Sequence, residues 1–128
     1  MENSEKHLIV NKDTSGTIKI SEDVVKIIAG LATVEIEGVA GMSGGIVGGI
    51  AEKLGRKNMT KGVKAEVNET EAAIDLSIIV DYGAAIQDVA YQIQNKVKSV
   101  IESMTGLKVS AVNVNVQGVS FGAESKEE

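Results

Sequence analysis

The chain of 128 residues has no cysteine, no proline and no tryptophan, and it carries one histidine, two tyrosines and one phenylalanine. Each shortage removes a class of chemistry. Without cysteine there is no disulfide, no thiolate nucleophile and no thiolate metal ligand. A single histidine, His7, takes away most acid–base and metal options near neutral pH. The three rings, Tyr82, Tyr91 and Phe121, offer few platforms on which bases could stack. Without proline, turns fall to Gly, Asn, Asp and Ser, and no segment reads as a rigid linker. Positive charge is short as well: 13 Lys and Arg stand against 18 Asp and Glu, for a net charge of -5 and a pI near 4.9. That balance disfavours a specific nucleic-acid binder, which presents a basic footprint to phosphate.

Long apolar runs are missing too. The uncharged stretch between Glu37 and Glu52 is too short and too rich in glycine for a bilayer, which takes about 20 apolar residues, so no direct membrane span is expected. The opening MENSEKHLIVNKDTSG lacks the basic and hydrophobic blocks of a secretory signal and reads as the start of a cytoplasmic protein. The length fits one domain. Residues 1–13 are expected to be a disordered tail, 14–121 the domain and 122–128 a charged tail.

Within the domain, hydrophobic periodicity predicts the elements. Thr17 to Ile20 reads as a short strand, followed by Ser21 as a helix cap with Glu22 and Asp23 in the first turn. Val24, Ile27, Ile28, Leu31 and Val34 recur at helical spacing. Val39 to Met42 reads as a brief strand, and Ile46, Val47, Ile50, Ala51 and Leu54 as a short second helix ending at Gly55. Alternation in Val63, Ala65, Val67 and in Ile74, Leu76, Ile78, Val80 predicts a hairpin across Asn68 to Glu71. Ile86, Val89, Ala90, Ile93, Val97, Val100, Ile101 and Met104 line a long helix from Ala84 to Met104, closed by Thr105 and Gly106. Val112, Val114 and Val116 alternate in a last strand, with Gly118 as a bulge before Val119 and Phe121. The strand ending at Asp81, the long helix and the strand from Leu107 form a β-α-β unit suited to a parallel crossover. The fold class that follows is α+β, two-layer, with helices packed on one face of a mixed β-sheet.

The unusual segment is GVAGMSGGIVGGIAEKLGRKNMTKGVK, from Gly38 to Lys64. It completes no nucleotide-binding loop: GxGxxG is absent, and Gly44 with Gly49 is followed by Ile50 and Ala51 rather than by Lys and Ser or Thr. The pairs Gly41 with Gly44 and Gly45 with Gly48 match a loose GxxG clamp for phosphate or RNA backbone, a common chance pattern. Gly41, Gly45 and Gly49 fall four apart, which on one helix permits close backbone contact, inside the fold or with a partner. Lys53, Arg56, Lys57, Lys61 and Lys64 follow as the basic cluster of an acidic chain. They read either as a solvated face at a helix C-terminus or as a docking patch for an acidic partner or anionic headgroups. The candidate interaction surface therefore comprises Gly41, Gly44, Gly45, Gly48, Gly49 and those five basic residues. Asp75, Asp81 and Asp88 have no histidine nearby, and Ser43 has no base at motif spacing, so no catalytic, metal or cofactor site is expected.

The blocks GTIKISEDVV, ATVEIEGVAGM, GGIAEKLGRKNMTKGVKAEV, DLSIIVDYGAAIQDVAYQIQNKVKSVIESMTGL and VNVNVQGVSF together resemble the alkaline shock protein family of Gram-positive bacteria, envelope stress response proteins, over Gly16 to Phe121. The resemblance implies a small cytoplasmic protein without catalytic activity or cofactor, linked to cell-envelope homeostasis. It also implies self-association into a homo-oligomer and, as in some members, attachment to the inner face of the membrane through a small membrane-anchored protein. Some members are encoded beside lipid-synthesis enzymes, so the alternative reading is a ligand-sensing regulator of fatty-acid metabolism.

Overall fold

Strand β5, Glu71–Asp81, is the spine of the protein. Ala72, Ile74, Leu76, Ile78 and Val80 are buried while Glu71, Asp75 and Asp81 are exposed, the period of two expected of a strand with one face on a core. In the computed structural model, which describes residues 7–13, 16–44 and 60–121, three strands pair with β5. Strands β3, Val39–Met42, and β4, Val63–Val67, share one of its edges, both antiparallel. They lie end to end: β4 runs beside Ala72 to Leu76, and β3 beside Ile78 to Val80. Strand β6, Lys108–Ser120, runs parallel along the other edge. The register shift between Ile78 and Ile79, opposite Val116 and Gly118, is the bulge that Gly118 predicts.

Helices α1, Glu22–Val34, and α2, Ile86–Thr105, cover one face of this mixed sheet, so the two-layer α+β architecture is the one the sequence predicts. Val25 and Ala29 from α1 and Ile93, Val97 and Ile101 from α2 pack with Ile74, Leu76 and Ile78 of β5, each fully buried. Burial of each large aliphatic side chain contributes about 1.5–3 kcal/mol. Helix α1 starts where expected, the Ser21 hydroxyl accepting the Val24 N–H at 3.3 Å.

Its buried face differs from the predicted one. Ile28 and Val34 of the predicted stripe do pack against the core, but Val24 and Leu31 are exposed, and the fully buried positions are Val25, Ala29, Gly30, Ala32 and Thr33. The large residues mark one stripe in the sequence, but small residues let α1 approach α2 and the sheet closely, and packing decides the rotation. Thr33 is tolerated there because its hydroxyl donates to the Ala29 carbonyl at 2.7 Å. Helix α2 buries Val89, Ile93, Val97, Ile101 and Thr105, leaving Ile86 and Met104 exposed at its ends.

Ahead of α1, strands β1, His7–Asp13, and β2, Gly16–Ser21, form a separate antiparallel hairpin with Leu8 opposite Ile20. Half of the stretch read as a disordered tail is therefore a strand. Its HLIV run lies next to the TIKI of β2, and pairing gives both backbones partners that a tail finds only in water. The predicted short helix over Ile46 to Leu54 lies outside the described residues.

Candidate interaction surface

The sheet edge shared by β3 and β4 is interrupted at one residue, Ser77. Its carbonyl accepts the Ser43 N–H at 2.9 Å, just beyond β3, and its N–H donates to the Gly62 carbonyl at 2.8 Å, just before β4. The chain thus leaves the sheet after Ser43 and rejoins it at Gly62 beside one residue of β5, with both main-chain groups of that residue satisfied. Gly62 is required there. Its φ is +80°, and a Cβ would lie 3.1 Å from the carbonyl oxygens of both Ser43 and Ser77. The described ends of the glycine-rich and basic segment, at Gly44 and Lys61, are consequently held side by side at the middle of a sheet edge.

Four of the predicted surface residues fall in the described structure. Gly41 is buried in β3 opposite Ile79, where it serves packing, and its place in a strand rules out one helix carrying Gly41, Gly45 and Gly49. Gly44 is exposed at the exit with φ +79°. Lys61 is exposed at the return, and Lys64 stands on the uncovered face of the sheet, in register with Asp75. Gly45, Gly48, Gly49, Lys53, Arg56 and Lys57 lie outside the described residues.

Around the exit and return, Gly62, Lys64, Asp75, Ser77 and Asn115 line a polar cleft on that uncovered face. Asp75 Oδ1 accepts from Asn113 Nδ2 at 2.8 Å, and Asn115 Nδ2 donates to the Leu76 carbonyl at 3.1 Å, so the neighbouring amides are already engaged. The arrangement can form hydrogen bonds and ion pairs with a partner. It pairs no nucleophile with a base, and among the described residues no cluster of three or more metal-binding side chains occurs.

Asp81 and Asp88 line a second cleft where β5 turns into α2, together with Glu37, a carboxylate that the sequence does not single out, without forming a cluster that could hold a metal. Gly38 sits at its base with φ +101°, close enough to Val89 that a Cβ would lie 2.7 Å from its methyl. The aromatic residues stay outward. Tyr82 and Phe121 stack with ring centroids 5.5 Å apart yet remain 74% and 63% exposed, and Tyr91 is exposed on α2. Tyr82 and Phe121 follow the ends of β5 and β6, which the Tyr82 N–H joins by donating to the Ser120 carbonyl at 2.8 Å.

A protein-family model described as "Asp23 family, cell envelope-related function" matches residues 10–121. The chain is 32% identical over 112 residues to the uncharacterized protein YqhY of Bacillus subtilis, covering 88% of this chain and 83% of that protein. It is 40% identical over 106 residues to YloU of the same organism, covering 81% and 88%. A stress response regulator gls24 homolog of Streptococcus pyogenes is 30% identical over 102 residues; the match covers 79% of this chain and 57% of that longer protein. No solved structure matches.

Proposed function

Because the chain belongs to the Asp23 protein family, which is linked to the envelope stress and homeostasis response, we propose that it works as a self-associating scaffold or adaptor, docked at the inner membrane face through a small membrane-anchored protein. The family is non-catalytic, which leaves surface contact as the mode of action. The observation that carries this reading is the joint at Ser77, which holds the two roots of the glycine-rich, basic segment on a sheet edge and leaves Lys61 and Lys64 outward. Among the described residues no helix is long and apolar enough to cross a membrane.

The test is affinity capture from a native lysate, solubilised with mild detergent, combined with light scattering of the purified chain. The expected result is an oligomer that retains a small membrane protein, with recovery lowered several-fold by the double charge reversal Lys61→Glu and Lys64→Glu. A strict monomer that recovers no membrane protein overturns the proposal.

A further inference from the structure

Sheet edges expose unpaired N–H and C=O groups, and proteins blunt them with short strands, charged residues or covering side chains. The β3 and β4 edge is blunted in this way: both strands are short, and β4 carries Lys64 and Glu66. The β1–β2 hairpin carries Lys12, Asp13 and Lys19. Strand β6 has only the bulge at Gly118 to serve this purpose in its second half. It is 13 residues long, and the sequence has no charged residue between Lys108 and Glu124.

Helix α2 covers only the first half of that edge. Glu102 Oε2 accepts the Val109 N–H at 2.9 Å, and Gln94 Nε2 donates to the Val112 carbonyl at 3.0 Å. A carbonyl reached by a helix side chain points away from β5, so strand alternation turns the main-chain groups of Val114 and Val116 outward too. Past the bulge, the Ser120 carbonyl faces β5, where it accepts from Tyr82, and Val119 before it faces out. Among the described residues, no strand or side chain takes up the outward groups of Val114 to Val119. Flanking them are exposed Val116, Val119, Phe121 and Tyr82.

We infer that this half of β6 pairs antiparallel with the same strand of a second copy, joining two sheets into one. The inference rests on the self-association reading above and gives it a surface. Charge selects both the occupant and the direction. At the covered end of the strand Lys98 pairs with Glu102 and Lys108 stands beside Glu71, so charge there is balanced, while the sequence after Phe121, GAESKEE, has three glutamates and one lysine. Antiparallel pairing keeps the two acidic sequences at opposite ends of the contact, whereas parallel pairing sets like beside like. The contact is closed and two-fold, with the exposed valines and rings of both copies on the same face of the joined sheet.

The natural absence of cysteine makes the test direct. Full-length Val116→Cys chains, next to the centre of the pairing stretch, and an equimolar mixture of Val114→Cys and Val119→Cys chains, which lie on either side of the two-fold axis, are oxidised or bridged by a short bifunctional thiol reagent, because facing residues of an antiparallel pair lie about 4.5–5.5 Å apart. Ile18→Cys and Ser99→Cys, on the hairpin and on α2, serve as controls. The expected result is covalent dimer from the β6 variants only. Sedimentation should give wild-type protein at twice the 13.4 kDa chain mass or a multiple of that, falling to half in Val116→Lys. A wild-type oligomer whose β6 variants do not cross-link, or cross-link no more than the controls, overturns the edge assignment and leaves self-association standing. A monomeric wild-type chain overturns both.

Discussion

Replacing Gly62 by alanine puts the Ser77 joint under a defined load. The residue keeps a left-handed conformation, φ +80°, which an L side chain occupies at an expense of about 1–2 kcal/mol. The new Cβ lies 3.1 Å from two carbonyl oxygens and 3.3 Å from the Met42 Cβ, and backbone at this point cannot give way without loosening the hydrogen bonds that close the edge. Such overpacking adds about 1–3 kcal/mol. The total, about 2–5 kcal/mol, corresponds to a fall in Tm of roughly 10–20 °C for a domain of this size.

Gly83→Ala is the matched control, since Gly83 has φ +96° with nothing within 4 Å of its Cβ position. It carries the conformational load alone. The loss of unfolded-chain entropy, about 0.4–1 kcal/mol for either substitution, cancels between the two. Urea unfolding of both variants should therefore show Gly62→Ala less stable than Gly83→Ala by about 1–3 kcal/mol. Equal stabilities would mean that Ser43, Gly62 and Ser77 do not meet as described, and the site built on them would fall with that geometry.

Ile93→Ala removes a fully buried side chain between α2 and β5 and should lower stability by about 2–5 kcal/mol in the same assay. Ser21→Ala deletes the α1 cap and should lower it by about 1 kcal/mol, with Ser21→Asp restoring most of the loss. Lys96→Met breaks the 2.6 Å pair with Glu35, whose side chains are 36% and 62% exposed, so its effect should stay below about 1 kcal/mol and shrink further in added salt.

The hairpin of β4 and β5 was legible because alternation is a local signal, and Ser21 announced α1 through its hydroxyl. What the sequence hides is relative placement. Nothing local says that β3 and β4 share one edge of β5, because that pairing is set by contacts far apart along the chain. The face of α1 was misread for a related reason: Leu31 and Val24 dominate any hydrophobic pattern, while Ala29, Gly30 and Ala32 decide how closely helices approach. Of the candidate surface, composition located the segment but not its fixing to Ser77. The exposed valines of β6 were hidden differently, since alternating valines read alike whether a helix covers them or not.

The two free edges of the sheet differ in chemistry, and this has a consequence for function. They flank β5 on opposite sides, about 10 Å apart, one holding the two ends of the glycine-rich and basic segment and the other the half of β6 that carries no charge. A foreign partner on the first and a second copy on the second need not compete, so the two activities should separate genetically. Val116→Lys should abolish self-association yet still capture the membrane protein, with weaker retention because paired copies no longer bind it with shared effective concentration. Lys61→Glu with Lys64→Glu should do the reverse, keeping the oligomer and losing the membrane protein. If the charge reversals dissolve the oligomer as well, the edges act as one surface and the division of labour between them is wrong.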